Sequence, residues 1–152
     1  LNQYEAQSGM LLEGLSNAFP QQIHGATIDR VGTAKRPDGL IEIDSRDLAS
    51  FWLKSLDERS TPENQAWMFH AFLANALVRV AILAAQKTGV RSVALSGGVF
   101  CNTLLSELVI EGLKSAQLEP LLHCFVPPND GGLAYGQAAI ACAKLSQVAQ
   151  AR

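Results

Sequence analysis

Two short apolar runs in the C-terminal half of the chain each lead through a pair of glycines into a helical pattern. The first run, 93–95, lies in an expected strand over 92–95 and continues into Ser96-Gly97-Gly98. The second, 121–126, ends at Pro127-Pro128 and continues into Asn129-Asp130-Gly131-Gly132. A strand, a glycine turn and a helix bring unpaired backbone N–H groups and the positive end of a helix dipole together. The pattern therefore predicts an α/β fold in which the first turn binds a phosphate. The alternative is a tight turn with Ser96 as a cap.

The two turns are expected to share one ligand-binding crevice, because ligands bind at the carboxyl ends of the strands in open α/β sheets. The first turn would supply N–H groups and Asn102, and the second would supply Asp130 beside Gly131 and Gly132. A carboxylate beside a phosphate favours a divalent cation, because the cation offsets the repulsion between the two anions. The alternative role for Asp130 is the N-cap of the last helix.

Length and composition are typical of one globular domain over 1–152, with a frayed tail at 146–152. The net charge of −2 and the scattered basic residues argue against a nucleic-acid partner, which needs clustered Lys and Arg. Three cysteines without a C-x-x-C pair favour a reducing compartment, and we expect a cytoplasmic protein. The chain opens at Leu1 without Met, so we expect a piece of a longer protein.

Periodicity and turn signals predict the remaining elements. Helices are expected over 4–18, from Asp44 or Ser45 to 56, over 62–88 after an N-cap at Thr61, over 102–115, and from the second turn to about 145. A strand is possible over 27–31, and a Pro-Asp-Gly turn at 37–39 followed by alternation over 40–43 suggests a hairpin. The 62–88 helix is apolar nearly all round. We interpret it as a buried core helix and not a membrane span, because it carries His70, Asn75 and Arg79.

Other nucleotide-binding motifs and a nucleophilic active site have little support in the sequence. The chain has neither a P-loop nor a G-x-G-x-x-G motif. Ser96 lies in a degenerate nucleophile elbow, but a hydrolase of that type needs a histidine after the acid, and none follows Asp130. Cys101 could be a nucleophile at a helix N-terminus, although a buried small residue is the favoured interpretation, and His70 is expected to be a core histidine.

The two glycine motifs together resemble the C-terminal end of the hydrogenase-maturation carbamoyltransferases (HypF). The matching residues are L-S-G-G-V-F-x-N at 95–102 and P-P-N-D-G-G-L-A-x-G-Q-A at 127–138, with further matches at 4–7, 69–70 and 73–74. The resemblance implies the ribonuclease-H-like second half of an actin-like ATPase fold, a mixed sheet flanked by helices.

The resemblance also implies a function. The complete enzyme would make a carbamoyl-adenylate from carbamoyl phosphate and ATP and pass the carbamoyl group to the C-terminal cysteine of an acceptor protein (HypE-like). Carried over by position, Ser96, Gly97, Gly98, Asn102, Gly131 and Gly132 would contact nucleotide or carbamoyl-adenylate. Asp130 would bind a divalent metal (Mg, Zn or Fe). The catalytic residues stay unassigned.

The sequence departs from the family pattern in ways that limit what the chain can do alone. The family's metal site also uses a His-x-x-x-His pair, which this sequence lacks, and Ala6 stands where glycine is usual. If that position needs a positive φ, the local geometry differs. We therefore expect the isolated chain to bind nucleotide weakly at best and to have no transferase activity. The alternatives are a tRNA threonylcarbamoyl transferase and a non-catalytic nucleotide-binding module of the same fold.

Overall fold

The computed structural model describes residues 3–17, 33–35, 40–44, 46, 49–50, 53–54 and 60–150. The helices are α1 (Gln7–Asn17), α2 (Pro62–Thr88), α3 (Thr103–Ser115) and α4 (Leu133–Gln150), and the strands are β1 (Thr33–Lys35), β2 (Ile41–Ile43), β3 (Ser92–Ala94) and β4 (Glu119–Leu121). Short 3-10 helices at Gly98–Cys101 and Asp130–Gly132 precede α3 and α4. The predicted α/β architecture is confirmed, and its described strands form two separate pairs, β1 with β2 and β3 with β4.

Local signals decide the bounds of α2, which are those predicted. The Thr61 side chain accepts a hydrogen bond from the Asn64 N–H at 3.3 Å, and Pro62 occupies the first turn. In the same turn, hydrogen bonding to its own backbone N–H lowers the pKa of Glu63. At the other end Gly89 has a φ of 75° and its N–H donates to the Ala85 carbonyl.

Burial along α2 is less complete than its composition predicts. Its fully buried residues lie between Ala66 and Ala76, whereas positions 77–85 are mostly half-buried and 86–88 are exposed. By length and composition this helix could cross a membrane. The core helix of a soluble protein can have the same length and composition, so these two properties do not distinguish the two cases. Its packing against α1 and α3 agrees with the core-helix interpretation.

The main core lies between α2, α3 and the parallel strand pair. Its buried members are Ala74, Leu95, Leu105, Val109, Leu113 and Leu118. The helices approach closely at Gly112, where an added Cβ would lie 2.8 Å from Cγ2 of Val78. This close approach requires the smallest residue at position 112.

The C-terminus of α3 turns the chain back toward the sheet through a Schellman motif. The N–H of Leu118 donates to the Leu113 carbonyl at 2.8 Å, and the N–H of Gln117 donates to the Lys114 carbonyl at 2.9 Å. Gln117 has a φ of 58°, a conformation that glycine usually supplies. The motif places buried Leu118 beside buried Leu113 and starts β4.

The second strand of the parallel pair begins earlier than expected. The sequence predicted a buried strand over 121–126, but β4 is Glu119–Leu121 and residues 121–125 are exposed. That prediction rested on the apolar run and on Pro127-Pro128 as its end, whereas the observed strand includes Pro120. Pro120 is tolerated because the ladder bonds use its neighbours: the Glu119 N–H donates to the Arg91 carbonyl, and the Leu121 carbonyl accepts from Leu95.

Before α2 the described residues include a strand pair and several helical positions. β1 and β2 pair antiparallel with Thr33 opposite Ile43, which confirms the hairpin, although its predicted turn at 37–39 and the possible strand at 27–31 lie outside the described residues. Positions 46, 49, 50, 53 and 54 are helical, in agreement with the helix predicted after Asp44. Ala6, just before α1, has a φ of 62°, so this position does adopt the conformation that favours glycine.

Helix α4 extends past its predicted end near 145 to Gln150. Over 133–146 every residue is exposed except the half-buried Gly136.

Candidate functional site

The structure brings the two glycine turns together. β3 and β4 are parallel neighbours, with Ser92 opposite Glu119, so both turns leave the same edge of the pair. The N–H of Gly97 in the first turn donates to the carbonyl of Pro128 in the second at 2.8 Å. A Cβ added at Gly98 would lie 3.9 Å from the Cβ of Asn129. Residues 96–102 and 127–132 therefore form one continuous surface at the carboxyl ends of the strands, where α/β folds bind ligands.

The backbone donors of the first turn differ from those predicted. Gly97 has φ 103° and ψ 156°, and its N–H is used by Pro128. The 3-10 helix that follows makes its first bond from Phe100 to the Gly97 carbonyl, so the N–H groups of Gly98 and Val99 precede its internal hydrogen bonds. Within the described part of the chain these two groups have no protein acceptor. They are the N–H groups that an anion could use.

A carboxylate from α1 occupies the N-terminus of α3. The Oε1 of Glu13 accepts from the N–H of Thr103 at 2.6 Å and from that of Leu104 at 3.3 Å. A negative charge there stabilises the helix, because it satisfies unpaired N–H groups and complements the dipole. The positive end of α3, which the sequence assigned to a phosphate, is therefore filled by this chain's own carboxylate. No local pattern signals this contact, since Glu13 lies 90 residues before Thr103.

Asn102 caps α3 and is held by a buried histidine. Its Oδ1 accepts from the Leu105 N–H at 2.8 Å, and its Nδ2 lies 2.9 Å from Nε2 of His70. Because Nδ1 of His70 lies 2.8 Å from the Ala66 carbonyl, which can only accept, His70 carries its proton on Nδ1 and accepts from Asn102 at Nε2. His70 is 3 % exposed and also contacts Ser16 of α1 at 3.2 Å. The expected core histidine is thus the residue that fixes the Asn102 amide.

A second histidine reaches the first turn. Nε2 of His123, two residues after β4, lies 3.0 Å from Oγ of Ser96, and both residues are exposed. The sequence did not predict this pair, because a nucleophile elbow has its histidine after the acid in the chain, and His123 precedes Asp130. The parallel register of β3 and β4 was the signal that could have found it.

The second turn leaves the Asp130 carboxylate free of a capping role. Asn129 is the cap, and its Oδ1 accepts from the Gly131 N–H at 3.0 Å. Asp130 is exposed, and no described hydrogen bond uses its carboxylate. Gly132 has a structural function, because an added Cβ would lie 2.8 Å from the Pro127 carbonyl oxygen.

The described residues supply at most one side of a metal site. Asp130 has the oxygen chemistry that a divalent cation needs, but among the described residues no group of three or more His, Cys, Asp or Glu side chains could hold a metal. Asp130 therefore fits the implied metal only as one ligand among several. Cys101 is exposed, so the interpretation as a buried residue was wrong.

Together the fold and the paired turns define an α/β domain with two glycine turns side by side at the carboxyl ends of a parallel strand pair. A family model described as "Carbamoyltransferase, Kae1-like Domain, second subdomain" matches residues 1–137. The chain belongs to this family, the HypF carbamoyltransferases. The resemblance seen in the two glycine motifs is thereby confirmed.

Similar proteins agree with this assignment. The chain is 33 % identical to carbamoyltransferase HypF2 of Cupriavidus necator over 91 % of its own length and 19 % of that protein. It is 36 % identical to a HypF homolog from the same organism, of which it spans 35 %. A crystal structure of full-length HypF in its phosphate- and nucleotide-bound form superposes on 92 % of the chain with a TM-score of 0.78 and 29 % identity, and the match covers 18 % of that protein. The chain thus spans well under half the length of these relatives.

Proposed function

We propose that this chain is the C-terminal part of a cytoplasmic carbamoyltransferase active in nickel–iron hydrogenase maturation. The complete protein would use carbamoyl phosphate and ATP to form a carbamoyl-adenylate and would transfer the carbamoyl group to the C-terminal cysteine of a HypE-like acceptor protein. Family membership supports the transferase class. The observation that carries the proposal is the 2.8 Å hydrogen bond from Gly97 to Pro128, which joins an anion-binding turn to the turn that bears Asp130.

The roles of this chain follow from its donors. The N–H groups of Gly98 and Val99, with the hydroxyl of Ser96, would bind the phosphate of the adenylate. Asp130 would be one ligand of a divalent metal, and that metal would neutralise charge on the same phosphate. Asn102, whose Oδ1 and one amide hydrogen are already bonded, would hold the turn and retain one amide hydrogen for the nucleotide.

The transfer needs no nucleophile from this chain. The acceptor cysteine releases its thiol proton to solvent, and its sulfur forms a bond to the carbamoyl carbon. The bond from that carbon to the phosphate oxygen breaks, and AMP leaves with the electron pair. The chain would contribute by holding the adenylate in place, since orientation alone can supply much of such an acceleration. Because it presents only one side of the metal site, the isolated chain should bind nucleotide weakly and transfer nothing.

Asp130→Ala in the full-length protein that contains this chain tests the proposal. ATP-dependent carbamoylation of the acceptor should fall by at least about 100-fold, as expected when one group that stabilises a developing charge is removed. Glu107→Ala is the matched control, because Glu107 is an exposed carboxylate on α3 that belongs to neither 96–102 nor 127–132. Far-UV circular dichroism should show both variants folded. Transfer by Asp130→Ala at the rate of the control would remove the assignment of this residue.

A further inference from the structure

We propose that His123 is a further phosphate-binding residue, acting as a hydrogen-bonded pair with Ser96 where the two turns meet. The inference rests on the proposed function and adds a side chain to it. Sequence motifs do not mark His123, which lies outside both glycine motifs. Its position depends on the pairing of β3 with β4.

The register of the parallel strands places the pair at the edge where ligands bind. Ser92 lies opposite Glu119 at the start of the strands, and their side chains bond at 2.7 Å. Ser96 and His123 have the same separation of 27 residues and meet at the other end of the strands at 3.0 Å. The Leu95 N–H donates to the Leu121 carbonyl at 3.0 Å, so the pairing continues up to the two residues.

The pair always presents a hydrogen-bond donor. A neutral histidine and a serine together carry one N–H and one O–H, and the bond between them uses only one of the two. If Ser96 donates to Nε2, the Nδ1–H of His123 is left over. If the Nε2–H of His123 donates, the hydroxyl of Ser96 is left over. Either tautomer therefore leaves one donor, and a protonated His123 leaves two.

The remaining donor serves an anion better than any other ligand class. Ser96 belongs to the same turn as Gly98 and Val99, whose N–H groups have no acceptor among the described residues. Neither turn contains Lys or Arg: over 96–102 and 122–132, His123 is the only basic side chain and Asp130 the only acidic one. A phosphoryl group bound here would find in His123 the single side chain of these segments that can carry a positive charge.

Nucleophilic catalysis by Ser96 is a poorer explanation of the same contact. A histidine that activates a serine is itself oriented by a third group. Among the described residues, no carboxylate or carbonyl bonds to Nδ1 of His123. The contact therefore provides donors to a ligand, and Ser96 is not set up to attack one.

The test compares ligands that do and do not carry phosphate, in the full-length protein that contains this chain. Isothermal titration calorimetry would measure binding of ATP, AMP and adenosine to the wild type and to His123→Ala and His123→Gln. His123→Ala should weaken ATP and AMP by about 10- to 100-fold, the effect of losing a hydrogen bond to a charged group. Adenosine affinity should not change. His123→Gln should recover part of the loss, because its amide keeps an N–H donor.

Glu119→Ala is the matched control, since it removes the corresponding cross-strand pair at the opposite end of β3 and β4. It should leave the affinity for all three ligands unchanged. If it lowers nucleotide affinity as much as His123→Ala does, the effect comes from the strand pairing and the inference is wrong.

The outcomes separate this inference from the proposed function. Suppose that the wild type binds ATP. If His123→Ala then binds ATP equally well, or if it weakens adenosine binding as much as ATP binding, only the role of His123 is overturned. A wild type that binds no ATP overturns the proposed function and this inference with it.

Discussion

The two adjacent glycines of the first turn should respond oppositely to substitution by alanine. Gly97 has φ 103° and ψ 156°, in a region nearly exclusive to glycine, and an added Cβ would meet nothing within 4 Å. Gly97→Ala therefore carries a conformational cost of about 1–3 kcal/mol without a steric clash. At Gly98 φ is outside the positive region, and the nearest atom to an added Cβ is at 3.9 Å.

The difference between the two variants isolates the backbone strain. Replacing either glycine with alanine restricts the unfolded chain equally and favours folding by about 0.4–1 kcal/mol. This contribution cancels in the comparison, so Gly98→Ala should be more stable than Gly97→Ala by the whole strain, about 1–3 kcal/mol. Relative to the wild type, Gly98→Ala should be slightly more stable and Gly97→Ala less stable.

Equilibrium urea denaturation followed by far-UV circular dichroism measures both free energies of unfolding. The wild type and the two variants should share one m-value, which shows that the folded and unfolded states expose the same surface. If Gly98→Ala proves as destabilising as Gly97→Ala, the turn does not have the described conformation, and the assignment of the free N–H groups to Gly98 and Val99 fails with it.

Two further predictions concern substitutions to or from glycine within a helix or just after its end. Gln117→Gly should raise the free energy of unfolding by about 0.5–1 kcal/mol, because it removes the cost of a left-handed φ at the Schellman position, whereas Gln117→Ala keeps the Cβ and should not. In urea denaturation, a Gln117→Ala variant as stable as Gln117→Gly would contradict this. Gly14→Ala in α1 should stabilise by about 0.5–1 kcal/mol, because a Cβ there meets nothing within 4 Å. Gly112→Ala should be less stable than Gly14→Ala by about 1–3 kcal/mol, because its Cβ would lie 2.8 Å from Val78, and equal effects would show that the helices separate freely.

The elements that the sequence predicted correctly are those with local signals. Thr61, Pro62 and Gly89 lie at or next to the ends of α2, and capping depends on residues within one turn of a helix end. The same holds for Asn102 at the start of α3. The two glycine motifs likewise carry enough local information to indicate the family.

The misplaced β4 shows where local rules fail. The strand was expected over the apolar run 121–126, yet it is centred on Pro120. Pro120 is tolerated there because the strand has a single described neighbour and the ladder uses Glu119 and Leu121. Whether a missing N–H matters depends on which side of the strand it faces. That is decided by pairing with β3 and not by the residue.

The chemistry of the site was decided by contacts between residues distant in the chain. Glu13 fills the helix end that the sequence assigned to a phosphate, across 90 residues, and Pro128 accepts the N–H of Gly97. His70 reaches Asn102 across 32 residues, and His123 reaches Ser96 across 27. Periodicity and caps encode neighbours within a few residues, so they predict that a donor exists. Only the packing of α1 and the pairing of β3 with β4 decide whether that donor is already bonded or still open to a ligand.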